Sequence, residues 1–245
     1  MLVEVLFEDL NNSLVIDVET HVETVKQVLP FKSKAVVWKH EIYFSTPINI
    51  SFSEKDLVYS IKKGLVYYWP PEKAMCIFYG FSHPYTPVVY LGSVVDPLHT
   101  IENWSGSVHV YEHSIDKRFD NVIEKLVKMG YKVATPLRNG ERVVVAYKKT
   151  RKGRLSLIVY PESYGVHIES EGMIKYSEIG VAPIAYRRLL RLVTKVVKPK
   201  YARFDISENN YIVVTAGLET VDKIEKALNE IEKMQTMLQE QLLVL

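Results

Sequence analysis

The chain has 245 residues, of which 47% are hydrophobic and 24% are charged. These proportions are typical of globular proteins and exclude a disordered or fibrous chain. No apolar run reaches the roughly 18 residues that a transmembrane helix needs, and the first nine residues lack the basic region of a signal peptide. The single cysteine, Cys76, has no partner for an internal disulfide. We therefore expect a cytoplasmic protein.

Charge is distributed unevenly along the chain. Residues 1–114 contain 8 lysines, no arginine and 13 acidic residues, whereas residues 115–245 contain 23 basic and 16 acidic residues. The net charges of the two halves are therefore −5 and +7. Such an abrupt change of composition is typical of separately built domains, which usually have about 100–150 residues. The sequence predicts two domains, residues 1–114 and residues 115–245.

The first half consists mostly of short apolar runs of the strand type. Two runs, 3–7 and 14–18, flank a turn and predict a hairpin, and helical spacing predicts one helix over residues 19–29. Six further strand-like runs follow, at residues 35–38, 41–44, 65–68, 75–79, 87–91 and 108–111. So many short strands with one helix favour a closed all-β barrel, because closure leaves no strand edge exposed.

Two segments of this half resemble the signature segments of a known family. Residues 41–47 and residues 68–80, which contain Trp69-Pro70-Pro71, resemble those of a small prokaryotic cyclophilin-like domain family of uncharacterised function. The resemblance covers about residues 1–112 and implies an eight-stranded cyclophilin-like barrel. Family members usually have glycine where this chain has Glu72, and an acidic residue where it has Leu65. Both departures lie beside the Trp-Pro-Pro turn and concern its local geometry.

The resemblance raises the question of prolyl isomerisation. In cyclophilins an arginine helps to stabilise the twisted proline amide, but residues 1–114 contain no arginine. Lysine lacks the planar, multi-donor guanidinium. We therefore expect non-catalytic binding of a small ligand or peptide. The candidate binding residues combine aromatic rings with one cation: Tyr43, Phe44, Thr46, Tyr68, Trp69 and Lys73.

Two alternatives to this interpretation of the first half stay open. One is a peptidyl-prolyl cis-trans isomerase whose cation comes from the second domain, for example from Arg118 or Arg138. The other is that the aromatic side chains simply fill the barrel, as side chains do in small barrels.

Neither a metal nor a cofactor is expected. His109 and His113 share a face of a predicted strand but lie about 13 Å apart on it, too far to bind one zinc ion. Cys76 lies in an apolar strand, where a buried and inert thiol is usual. The glycines are isolated, so no phosphate-binding or dinucleotide-binding motif is present.

The second half alternates helical and strand-like patterns. The elements in chain order are a helix at 116–129, strands at 131–136, 142–148, 154–160 and 164–169, a helix at 183–197, strands at 201–206 and 211–215, and a long last helix from about 219 to 245. This order is typical of an α+β fold, an antiparallel sheet with helices on one face.

The last helix has apolar residues at the a and d positions of nearly four heptads, with Gln235 at one a position. Such a pattern favours helix pairing, here in a homodimer. The residues predicted to pair are Val221, Ile224, Leu228, Ile231, Leu238 and Leu242. The alternative is that the stripe packs on the domain's own sheet, which also explains Ala227 and Met234 beside it.

Basic residues concentrate in one hairpin turn and along the helix at 183–197. They predict a possible role in nucleic-acid association, since clustered cations neutralise phosphates. The candidates are Lys148, Lys149, Arg151, Lys152, Arg187 and Arg191. No base-reading motif accompanies them, and pairing with the acidic first domain is the alternative. Few glutamines and one cysteine are typical of a thermophilic, for example archaeal, source.

Overall fold

The structure, a computed structural model, describes residues 1–150, 153–176 and 182–242, without the side chains of residues 182–185 and 242. The chain forms two compact units. The first comprises Met1–Asp116 and Ala134–Val143, and the second comprises Lys117–Val133 and Val144–Leu245. The chain therefore returns to the first unit for ten residues that the sequence analysis assigned to the second domain.

The first unit is a closed antiparallel barrel, which confirms the predicted cyclophilin-like fold. Its eight strands are β1 (Leu2–Phe7), β2 (Asn12–Val18), β3 (Phe31–Trp38), β4 (Glu41–Ser45), β6 (Leu65–Trp69), β7 (Ala74–Phe78), β8 (Val88–Val94) and β9 (Gly106–Glu112). They follow the order β2-β1-β9-β3-β4-β7-β6-β8, and pairing of β8 with β2 closes the barrel. A two-residue strand β5 (Leu57–Val58) pairs with β8, and helix α1 spans Val22–Lys26.

Alternation along each strand decides which side chains fill the barrel. In β4, Ile42 and Phe44 point inward and are buried in the core, whereas Glu41 and Tyr43 lie on the outer face. Successive strand residues point to opposite faces, so one register fixes the whole interior set. At the closing seam, a Cβ on Gly92 would lie 2.0 Å from the Asp17 carbonyl oxygen. Only glycine permits this close approach of β8 and β2.

The returning segment Ala134–Val143 is held to the barrel by buried ion pairs. Its two short strands, Leu137–Arg138 and Glu141–Arg142, pair with each other. The Arg138 guanidinium donates to the buried Asp96 carboxylate, and Arg142 donates to the buried Glu4 carboxylate at 2.7 Å. The first unit thus contains two arginines, and buried carboxylates bind both.

The second unit is an antiparallel sheet with helices, which confirms the predicted α+β fold. Its strands are Lys132–Ala134, Val144–Thr150, Gly153–Glu162, Gly165–Ser170, Ile174–Lys175, Ala202–Ile206 and Tyr211–Leu218. Its helices are α2 (Asp120–Lys128), α3 (Ala182–Val197) and α4 (Ile224–Leu242). Among the described residues, no helix combines the length and the hydropathy that crossing a bilayer requires.

The apolar stripe of α4 packs inside the second unit's own core. Ile224, Leu228, Ile231 and Leu238 are at most 1% exposed. Three of them belong, with Ala227 and Met234, to the cluster that joins α4 to the sheet, and Val221 packs at its edge. The Leu242 side chain lies outside the described part. Packing within the chain accounts for the heptad pattern, and self-association stays a prediction.

Candidate functional site

A cavity of about 210 Å³ lies against the outer face of β3, β4 and β7, beside the end of β6. Four of its eight lining residues are aromatic. Its lining comprises Trp38, Tyr43, Trp69, Tyr85, Pro84, Glu41, Glu72 and Cys76. Ligand sites are typically concave and mostly apolar, with a few polar groups that fix orientation. This cavity has that composition.

The strand register brings the lining side chains together. Trp38 and Glu41 are directly opposite each other across the β3–β4 pair. Tyr43 is opposite Cys76 across the β4–β7 pair. Directly opposed residues on one face have Cβ atoms about 4.5–5.5 Å apart. Side chains on the outer face of β3, β4 and β7 are therefore neighbours. Trp69, the last residue of β6, also lines the cavity.

The loop between β7 and β8 forms the outer wall of the cavity. Its start is fixed because the Tyr79 N–H donates to the His40 carbonyl oxygen at 3.1 Å. Its end is fixed because the Trp69 Nε1–H donates to Thr86 Oγ1 at 2.7 Å. Between these points the Tyr85 ring stacks on Trp38, with centroids 4.9 Å apart. Tyr85 is 80% exposed, so the wall has a free outer edge.

The polar part of the cavity consists of two carboxyl groups and one thiol. Glu41 is buried, and burial raises its pKa, while its hydrogen bond with Cys76 and the Lys39 ammonium act in the opposite direction. Burial, together with the neighbouring Glu41, raises the pKa of the Cys76 thiol well above its usual value. The thiol is therefore protonated at neutral pH and is not a nucleophile. Glu72 lies exposed at the rim.

No basic side chain lines the cavity within the part of the chain that the structure describes. Lys39 lies outside it, with Nζ 4.1 Å from the Trp38 ring centroid. Lys73 is exposed in the left-handed turn that follows the two prolines. Of the two arginines named as examples for the isomerase interpretation, Arg138 binds Asp96, and the Arg118 guanidinium lies 5.6 Å from the Phe119 ring centroid. The ionisable side chains in the described lining, apart from the tyrosines, are therefore two carboxyl groups and one thiol, and no cation accompanies the rings.

The structure brings two of the six predicted ligand-binding residues to the cavity, Tyr43 and Trp69. Phe44 and Tyr68 point into the barrel and belong to its core. The Thr46 hydroxyl donates to the Lys73 carbonyl oxygen at 2.7 Å and so fixes the turn. The interpretation that aromatic residues fill the barrel thus applies to part of the set.

Sequence reasoning missed six lining residues. Those are Trp38, Glu41, Glu72, Cys76, Pro84 and Tyr85. Part of this set was accessible from the sequence, since Glu41 shares a strand face with Tyr43 by simple alternation. The contribution of the β7–β8 loop had no comparable signal, because it depends on how the loop folds back over the strands.

The candidate nucleic-acid-binding residues of the second unit differ in their exposure to solvent and in their contacts. Lys148 Nζ pairs with Glu232 and lies 4.4 Å from the Tyr131 ring centroid. Lys149 is exposed, and Arg151 and Lys152 lie outside the described residues. Arg187 and Arg191 are exposed on α3, together with Arg188 and Lys195. Among the described candidates, Lys149, Arg187 and Arg191 are exposed to solvent.

His109 and His113, the two histidines considered as a zinc site, have different contacts. His113 Nδ1 lies 2.8 Å from the buried Glu4 carboxylate, and His113 Nε2 accepts from the Thr135 N–H at 3.0 Å. His109 instead lies against the Tyr111 ring. Within the described ranges, no group of three or more His, Cys, Asp or Glu residues has a geometry suited to a metal ion.

Comparisons with known proteins found one family model and a solved structure that match the first part of the chain. A family model described as "Cyclophilin-like" matches residues 1–111, which confirms the resemblance stated from the sequence. The solution structure of a hypothetical protein from Archaeoglobus fulgidus is 26% identical, and the match covers 46% of this chain and 94% of that chain with a TM-score of 0.38. Among curated proteins no match was found.

Proposed function

We propose that the first unit binds a small ligand or a peptide side chain in the aromatic cavity and does not catalyse a reaction on it. The observation that supports this proposal is that four aromatic rings line one cavity although they come from different elements. They are Trp38 of β3, Tyr43 of β4, Trp69 at the end of β6 and Tyr85 of the β7–β8 loop. Rings that served only to fill the barrel would point inward, as Phe44 does. The cyclophilin-like match concerns the fold, and a fold does not fix a function.

The size of the cavity limits what it accepts. Clefts that enclose drug-sized ligands have about 300–1,000 Å³, and this one has about 210 Å³. A single side chain or a small organic group fits such a volume. A peptide would therefore place one side chain in the cavity and run across the exposed edge beside Tyr85.

The groups around the cavity support the non-catalytic part of this proposal. Rotation of a prolyl amide has a barrier of about 18–20 kcal/mol, and a catalyst must stabilise the twisted amide better than the planar one. Within the described residues, the lining offers two carboxyl groups and a thiol but no guanidinium. The two arginines of this unit are paired with Asp96 and Glu4.

Indole signals in NMR spectra give a direct test of binding. The chain has three tryptophans, of which Trp38 and Trp69 line the cavity while Trp104 packs against the Phe7 ring. The probes are N-acetyl amino-acid methylamides that carry each natural side chain. We expect at least one probe to shift the Nε1–H signals of Trp38 and Trp69 saturably and to leave Trp104 unchanged. A panel in which no probe does so would refute the binding proposal.

Exchange spectroscopy on an Ala-Pro tetrapeptide tests the catalytic alternative. We expect the cis/trans exchange rate to be the same with and without the protein. Acceleration comparable to that of an ordinary cyclophilin would show that the non-catalytic proposal is wrong. If an Arg138→Leu variant retained that acceleration, groups other than Arg138 would supply the catalysis.

A second candidate function, nucleic-acid association, is favoured by the exposed cations of α3. Each phosphate contact contributes about 0.9 to the slope of log affinity against log salt on duplex DNA. We expect Arg187→Gln/Arg191→Gln to reduce that slope by about 2. The control variant, Lys128→Gln/Lys226→Gln, removes two exposed charges elsewhere in the second unit. Equal slopes for the two variants would dismiss this face as a binding surface.

A further inference from the structure

The geometry points to an organic cation, an alkylammonium group, as the ligand that the cavity prefers over a neutral group of the same shape. This inference rests on the proposed function and names its ligand class. It reverses the expectation from the sequence that a cation, Lys73, would accompany the rings. Lys73 lies outside the lining, and Glu41 and Glu72 lie within it.

The aromatic wall provides the first attraction. The faces of Trp, Tyr and Phe rings carry negative electrostatic potential and attract a cation within about 6 Å of the ring centroid, and cages of such rings bind quaternary ammonium groups. Trp38 already has the Tyr85 ring and the Lys39 ammonium beside it. Tyr43 and Trp69 are half-buried, because they pack against a cluster that contains Tyr67 and Phe78, and both also line the cavity. The part of each ring that lines the cavity can contact a ligand.

Lys39 provides an example of such a contact beside the cavity. Its side chain is exposed, and its Nζ lies 4.1 Å from the Trp38 ring centroid. The chain's own ammonium thus lies against the aromatic cluster from outside the cavity. A ligand ammonium would use the same type of contact from inside it, where the ring faces are less accessible to water.

The carboxyl groups provide the second attraction. Glu41 is 5% exposed and lines the cavity opposite Trp38, and Glu72 lines its rim. A buried carboxylate is costly unless a cation pairs with it. The first unit as a whole has 10 basic and 15 acidic residues, so its net charge of −5 also favours a cationic ligand.

Proton competition gives the site a characteristic pH dependence. The groups that act on Glu41 are the Cys76 thiol on β7 and the Lys39 ammonium in the β3–β4 turn, and Glu72 acts on the same thiol. Burial raises the pKa of Glu41, so in acid a bound cation must displace a proton from it. Affinity for a permanent cation therefore increases as pH rises through the pKa of the free site.

The test compares choline with 3,3-dimethylbutan-1-ol, which has the same shape without the charge. Both are titrated into the full chain while the Trp38 and Trp69 indole signals are followed. We expect choline to bind at least tenfold more tightly at pH 8, and its affinity to fall on going to pH 5. Glu41→Gln should remove most of this preference and its pH dependence. Glu23→Gln, an equal charge change at an exposed position of α1, should keep both.

Each outcome decides between the two proposals. Equal affinities for choline and its neutral analogue would overturn the cation inference and leave the binding site in place. A neutral or acidic panel probe that binds when neither choline nor the lysine probe does would do the same. If neither the panel nor choline shifts the two indole signals, the proposed function itself fails. An unchanged Trp104 signal in Glu41→Gln shows that the variant is folded.

Discussion

Replacement of Arg138 by leucine tests whether the returning segment is part of the first unit. Arg138 donates to the Asp96 carboxylate and to the Ser13 carbonyl oxygen, and its guanidinium lies 5.2 Å from the Trp104 ring centroid. The Asp96 side chain is fully buried, and its carboxylate would keep the Val15 N–H as a donor. Breaking a buried ion pair by removing one partner costs about 3–5 kcal/mol.

That loss is large against the stability of one unit. Whole domains are stable by about 5–15 kcal/mol, so a loss of about 3–5 kcal/mol means that Arg138→Leu should remove roughly a fifth or more of the first unit's stability. The leucine retains apolar contact with Trp104, so most of the loss comes from removing the guanidinium that binds the buried Asp96 carboxylate. Asp96→Asn in the same chain should therefore restore part of the stability, with a coupling of about 0.5–3 kcal/mol.

Urea unfolding followed by tryptophan fluorescence measures this unit by itself, because Trp38, Trp69 and Trp104 all lie in it. Lys32→Ala is the control. Lys32 pairs with Glu8 at 2.6 Å, but the two side chains are 67% and 36% exposed. Such exposed pairs contribute about 0.2–1 kcal/mol. A loss for Arg138→Leu no larger than that of the control would refute the reasoning.

Three further predictions concern the barrel closure, its pH dependence and the two types of core position. Gly92→Ala should destabilise the first unit by about 1–3 kcal/mol in urea unfolding, since its Cβ would lie 2.0 Å from a carbonyl oxygen. Burial alone would raise the pKa of Glu4, but hydrogen bonds from His113 and Ser13 and the Arg142 charge lower it overall. Its stabilising contribution is therefore present above pH 4.5 and is lost as pH falls through the folded pKa. Unfolding at pH 3 and pH 6 should show a smaller pH effect in Glu4→Gln. Ile231→Ala should cost the second unit about 2–5 kcal/mol by circular dichroism without changing the sedimentation coefficient. A change in that coefficient without destabilisation would place Ile231 at an interface between chains.

Period-two alternation and the family resemblance were sufficient for the barrel, because each strand carries its own inward and outward sets. They were not sufficient for the unit boundary. Residues 134–143 return to the first unit because Arg138 and Arg142 find buried carboxylates there, at Asp96 and Glu4, more than 40 residues earlier in the sequence. No sequence pattern around Asp96 or Glu4 identifies these residues as the partners of the two arginines.

The heptad pattern of α4 illustrates a different limit. A stripe at a and d positions predicts burial correctly, but it does not say what buries it. Here the sheet and the neighbouring helices cover the stripe, and the residues beside it, Ala227 and Met234, are also fully buried. A two-stranded coiled coil needs only the narrow a/d seam, whereas a helix packed on a sheet buries a wider face. The width of the buried face was therefore the more informative feature.

The candidate site was partly predictable because strand register, rather than residue type, decides which aromatic side chains reach a ligand. Tyr43 and Phe44 are adjacent, and residue type alone makes both of them candidates. Alternation sends Phe44 into the core at 1% exposure and leaves Tyr43 on the wall beside Glu41. The same alternation that buries Phe44 and Tyr68 in the barrel places Tyr43 and Trp69 on its outer face, where Glu41 also lies. A binding site of the proposed kind therefore needs no departure from the barrel's folding pattern. It needs only rings and carboxyl groups at outward positions of neighbouring strands, as Trp38, Glu41 and Tyr43 provide here.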